Sequence, residues 1–179
     1  GVSDATILST NQTAITRIRN AGINVPIIID GTQWAMNHTQ LWRTWQTLQE
    51  HDPLHNLMFS IHSYYDGSDT SVKATYDAIA AKVVADSIPI HIGEGPTAIN
   101  ASCAAAPYEY WMQKLQENDI GWITWSWGKA NNQGCGPNSK FDITTDGVFG
   151  NWEYDHARIM IVDSPYSLKN VSVRPTEFR

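Results

Sequence analysis

Charge is scarce in this sequence. Asp, Glu, Lys and Arg make up 17% of its 179 residues, below the roughly 25% of an ordinary globular domain. The formal net charge is -6 with no basic stripe, which argues against nucleic acid as the main partner. Long apolar runs are missing too: nothing approaches the ~18 residues that cross a bilayer, so no membrane partner is expected. The opening GVSDATILSTNQT has neither the basic nor the apolar stretch of a secretory leader. A mature exported protein looks the same, so that absence decides little.

Cysteine is nearly absent. Cys103 and Cys135 are the two in the chain, too few for a metal site without other ligands, and no nearby His pair has zinc spacing. A glycine-rich phosphate cradle is lacking as well. No metal and no cofactor is therefore expected. Each cysteine sits in a loop-like stretch, NASCAAAP and NNQGCGPNS. A disulfide joining two loops is one reading and suits an extracellular protein; two unrelated thiols are the other.

What the chain has in excess is tryptophan, eight in all. Indole faces stack on the apolar C–H faces of sugar rings, and a core of this size needs fewer. Trp42, Trp45 and Trp111 fall on helical stripes and read as packing residues.

Short β-branched runs alternate with segments of helical period. Strands are expected at Asn24–Asp30, Leu57–Ser63, Ile88–Glu94 and Gly121–Trp127, each a near-continuous apolar run suited to a parallel sheet. Helices are expected at Asn11–Ala21, Thr39–Glu50, Ser71–Asp86, Pro107–Asn118 and Tyr154–Val162. No linker or low-complexity segment divides the chain, so residues 1–179 read as one domain. Repeated βαβ units imply an α/β fold. Four such strands make half of a (βα)8 barrel; a flavodoxin-like open sheet is the competing architecture. Against that rival, polar and aromatic residues collect after each strand: Asp30-Gly31-Thr32-Gln33-Trp34, His62-Ser63-Tyr64-Tyr65, Gly93-Glu94-Gly95 and Trp125-Ser126-Trp127. Parallel-barrel active sites are built at those ends. A carboxylate, a histidine and several aromatic rings suit a neutral polyhydroxylated substrate.

The ordered strings DPLHNLMFSIHSYYDG, IPIHIGEG and GWITWSWG resemble glycoside hydrolase family 5, which holds endo-β-1,4-glucanases and endo-β-mannanases. The resemblance runs through essentially the whole chain. It implies that Glu94 is the nucleophile forming a covalent glycosyl-enzyme, and that His62 and Tyr64 border the cleaved bond, the tyrosine contacting Glu94. Trp125 then floors the subsite of the attacked sugar, with Trp127, Trp34 and Tyr65 as further sugar-binding candidates. Asp142 and Asp146, in KFDITTDG, read as loop and turn residues.

The pattern also breaks. Retaining glycosidases need two carboxyl groups about 5–5.5 Å apart. The family's proton donor is a Glu in an Asn-Glu pair ending the fourth barrel strand, and no Asn-Glu pair occurs here. Asp30 or His62 is a weak substitute. The expectation is a half-barrel completed by self-association or by a complementary N-terminal half. A two-fold pair would set two copies of Glu94 across one barrel mouth, a spacing that favours inversion. The expected activity is secreted endo-β-1,4-glucan hydrolysis. Mannan is the rival substrate, and a non-catalytic carbohydrate-binding remnant is the rival class.

Overall fold

The computed structural model describes residues 1–128, 135, 141–173 and 176. Its elements run α1 (Asp4–Asn20), β1 (Ile27–Asp30), α2 (His38–His51), β2 (Leu57–His62), α3 (Asp69–Asp86), β3 (Ile90–Glu94), α4 (Tyr108–Glu117), β4 (Gly121–Trp122), α5 (Asp155–Arg158) and α6 (Leu168–Val171). A π-helical turn, Ile159–Asp163, continues α5, in place of the single α-helix expected over Tyr154–Val162.

The helices begin where a side chain can cap them. Ser3, Asn37 and Ser68 each accept from the backbone N–H three residues on, satisfying one orphan donor of the first turn. Ser3 explains why α1 starts at Asp4, two turns before the expected Asn11. Leu8, seven residues before Ile15, packs on the same core, so the apolar stripe runs back into the segment that the expected helix left out.

The strands are shorter than expected, for identifiable reasons. Pro26 has no N–H to give a ladder, and the carbonyls of Ile23 and Val25 accept from Arg19 Nη1 at 2.7 and 2.9 Å. That leaves β1 to begin at Ile27. β4 keeps regular pairing only over Gly121–Trp122, and Ile123 stays bonded to β3 through its N–H, which donates to the Ile92 carbonyl at 2.9 Å. The Ile123 carbonyl accepts from Gly95 at 2.9 Å, and Ser126 pairs with Phe141 and Ile143.

All four strands are parallel, in the order β1-β2-β3-β4. Each crossover moves one strand in the same direction, which is barrel winding rather than the reversal of a doubly wound sheet. One face of the sheet is packed under the helices. Ile29, Leu57, Phe59, Ile61, Ile90 and Ile92 are buried there with Leu48, Ile79, Trp111 and Leu115, and Tyr76 stacks on Trp111 with centroids 4.3 Å apart. Fully burying such a side chain stabilises the fold by about 1.5–3 kcal/mol. The opposite face is bare. Alternation puts Ile28, Met58 and Ile123 on it, exposed by 56%, 37% and 59%. In a closed barrel this face is the interior. The molecule is half of a (βα)8 barrel.

Beneath the sheet, α1 and α2 are joined at both ends. Asp4 pairs with Arg43 (2.7 Å) and buried Asp52 pairs with Arg19 (2.8 Å). Cys103 and Cys135 form a disulfide with Cα atoms 5.5 Å apart. The loop around Cys135 otherwise lies outside the described residues.

Candidate active site

The placement of Glu94 begins with a slip in the ladder. Ser60 faces His91 and Ile61 faces Ile92, but His62 then faces Glu94, so Gly93 has no partner on β2. Without this bulge the two-residue alternation would aim Glu94 at the helices. With it, Glu94 shares the concave side with His62. Glycine suits the extra position, because a Cβ at residue 93 would lie 2.2 Å from the Ser60 hydroxyl, which would have to move. On the other flank Gly95 sits at φ 131°, and its Cβ would meet the Ser63 hydroxyl at 1.8 Å. The Ser63 N–H donates to the Glu94 carbonyl at 3.0 Å, and the Gly95 N–H to the Ile123 carbonyl at 2.9 Å. Glu94 is thus held by backbone on both neighbouring strands.

Its carboxylate is held from the side by the Tyr64 hydroxyl, which donates to Oε2 at 2.8 Å. His62 Nδ1 lies 3.5 Å from the same oxygen, a contact at the outer limit of a hydrogen bond. Burial pushes the Tyr64 hydroxyl pKa well above its ordinary value, and the hydrogen bond and charge of Glu94 push it further. Tyr64 therefore keeps its proton and remains a donor. Two contacts steady this pair. The His62 N–H donates to the Ala35 carbonyl at 3.0 Å, and Phe141 packs edge-on against the Tyr64 ring at 5.4 Å.

These groups open into a cleft of about 470 Å³ lined by Trp34, Met36, His62, Tyr64, Glu94, Ala101, Trp125, Cys135 and Phe141. Trp34 stands 90% exposed on a run of left-handed residues, Gln33, Trp34 and Ala35, with φ of 54°, 58° and 58°. Trp125 is partly exposed, as is Trp127 just outside the lining. Glu94 is the one carboxylate in the lining among the described residues.

Other expected residues stand elsewhere. Tyr65 turns away from the cleft: its hydroxyl meets His38 Nδ1 at 3.0 Å and its ring packs on the core beside Tyr76. Adjacent residues leaving a strand point to opposite sides, so Tyr64 and Tyr65 cannot both face the cleft. Asp30 is level with Ser60 and His91 on the ladder, two strands away from Glu94 and below its rung. It is not among the residues that line the cleft with Glu94. Asp146 is a turn residue, accepting from the Val148 N–H and from Asn151 Nδ2; Asp142 is buried. Sequence reasoning missed Met36, Ala101 and Phe141. The Phe141 contact is set by the pairing of residues 141 and 143 with Ser126, which no local pattern announces.

Among known proteins, the model of the cellulase family (glycosyl hydrolase family 5) matches residues 2–131. A mannan endo-1,4-beta-mannosidase of Cellvibrio japonicus is 26% identical over 99% of this chain and 39% of its own length. Another from Salipaludibacillus agaradhaerens is 28% identical over 66% of this chain and 37% of its own. The solved beta-mannanase of Thermomonospora fusca superposes with a TM-score of 0.80 at 21% identity, covering 98% of this chain and 55% of that one. The chain spans less than two fifths of the curated relatives' length and about half of the solved enzyme's.

Proposed function

The chain belongs to glycosyl hydrolase family 5, and from that premise we propose that its cleft takes β-1,4-linked mannan, with Glu94 as the nucleophile of an endo-acting hydrolysis. The observation that carries the reading is the Glu94 carboxylate, turned into an aromatic cleft by the bulge and oriented there by the Tyr64 hydroxyl. Trp125 and Trp34 offer ring faces to sugars on either side of the reacting bond.

In the proposed reaction the Glu94 carboxylate attacks the anomeric carbon. The glycosidic C–O bond breaks, and a carboxylic acid gives its proton to the departing oxygen. Water then releases the glycosyl-enzyme, activated by the same acid in its basic form. That second carboxyl group comes from a complementary half whose strands close the barrel over Ile28, Met58 and Ile123; a second copy would bring another Glu94 instead, at the wider spacing that favours inversion. A glucan substrate is the first expectation from sequence; mannan is preferred because the relatives named above are mannanases. The Cys103–Cys135 disulfide supports an extracellular setting.

The test is reducing-sugar release from mannan and from soluble β-1,4-glucan by the protein and by Glu94→Gln. Release from mannan that disappears in the variant is expected. Equal release by both proteins would sink the role of Glu94, and preference for glucan would return the substrate to cellulose-type chains. Binding without release would leave a glycan-binding half-site, the reading favoured by the lone carboxylate of the cleft.

A further inference from the structure

A second aromatic surface lies next to the cleft and takes no part in it. Trp127 and Phe149 have nearly parallel planes, 19° apart, with centroids at 6.2 Å. At that separation the rings are displaced rather than superimposed, and part of each face stays open. Trp127 is 43% and Phe149 64% exposed. Trp152 stands edge-on beneath both, 6.3 Å from Trp127 and 5.0 Å from Phe149, and is itself packed on the core of α4 and α5.

The polar groups around these rings are already used. Trp127 Nε1 donates to the Gly147 carbonyl at 2.8 Å. The Thr144 hydroxyl bridges the Trp127 carbonyl and the Gly147 N–H, while Asp146 caps the turn that carries Val148 and Phe149. What remains toward solvent is flat, apolar and fixed before any ligand arrives. Such a surface loses little freedom on binding.

We propose that Trp127 and Phe149 form a second sugar platform, separate from the Glu94 cleft, on which the rings of a β-1,4-linked chain rest as it leaves that cleft. The occupant is fixed by continuity. Trp125 lines the cleft and Trp127 follows two residues later, a span of at most about 7 Å. A polysaccharide that runs from Trp125 toward Trp127 meets the platform, and an oligosaccharide too short to occupy both surfaces gains nothing from it. The proposal rests on the glycan reading of the cleft and adds to it a preference for long chains.

The experiment measures dissociation constants for mannotriose and mannohexaose with the protein, Phe149→Ala, Phe149→Leu, Phe149→Tyr and Trp125→Ala. In Phe149→Ala and Phe149→Leu the hexaose-over-triose preference is expected to fall by up to about tenfold, the scale of one lost aromatic contact. Phe149→Tyr, which keeps a ring face, retains it. Trp125→Ala weakens both ligands together. An unchanged preference in Phe149→Ala overturns the platform while leaving the cleft reading intact. The same holds if Phe149→Ala alters sedimentation and neither affinity, which assigns the patch to protein contact. Failure of the unaltered protein to bind either sugar overturns the platform and the reading beneath it together.

Discussion

Tyr64 and Glu94 form a pair in which the partner without charge does the orienting. Glu94 accepts a 2.8 Å hydrogen bond from a hydroxyl whose pKa is raised by burial, so the proton stays on oxygen across any working pH. Hydrogen bonds to a charged group contribute about 1.5–3 kcal/mol, which is roughly 10- to 150-fold in rate if lost at the transition state. Tyr64→Phe is expected to lower kcat by that factor with little change in KM, as measured on manno-oligosaccharides; a change confined to KM would assign the tyrosine to binding alone. His62, Tyr64 and Glu94 were singled out in the sequence by their place at or just beyond a strand end together with the family resemblance of the strings that hold them. The bulge that turns Glu94 toward them was not. It depends on Gly93 having no side chain to strike Ser60 on the neighbouring strand, a contact between residues 33 apart. Tyr65 marks the complementary limit: composition pointed to the cleft, and backbone alternation put the ring in the core.

At the scale of elements, α1 and α2 depend on buried charge as well as apolar contact. Arg19 makes a two-pronged bond to Asp52, whose oxygens also accept from the Leu54 and Asn56 N–H groups. The Arg19 hydrogen bond holds the Asp52 carboxyl well below its ordinary pKa, helped by those N–H groups and opposed by burial. A depressed folded-state value means that this stability is fully present above the unfolded pKa of about 3.9. It is lost as pH falls from there through the folded value. Asp52→Asn should therefore lower the thermal midpoint at pH 7, and the gap from the unaltered protein should close below about pH 4. A gap that stays constant down to pH 2 would show that packing rather than ionisation sets the effect. Apolar periodicity found every long helix and strand. It overran β1 because Arg19 takes the carbonyls before Ile27, and β4 because the backbone beyond Ile123 turns to pair Ser126 with Phe141 and Ile143.

For the molecule as a whole, the barrel winding was readable from the order of strands and helices, together with the residues collected after each strand. The choice between glucan and mannan was not, because a single hydroxyl on the sugar distinguishes them and no spacing in the chain encodes which loop meets it. Nor does any local pattern show the concave wall, since Ile28 and Met58 look in sequence like core residues of any strand. That wall has a thermal consequence. Exposing apolar surface raises heat capacity, so unfolding ordinarily adds about 12–15 cal/mol/K per residue. Here part of that surface is wet before unfolding begins, and the increment measured by scanning calorimetry should fall below this range. Strands that complete the barrel, added to this wall in a mixing experiment, should give the missing share as a negative heat-capacity change. The wall thus stores, as hydration, a term that a closed barrel has already released.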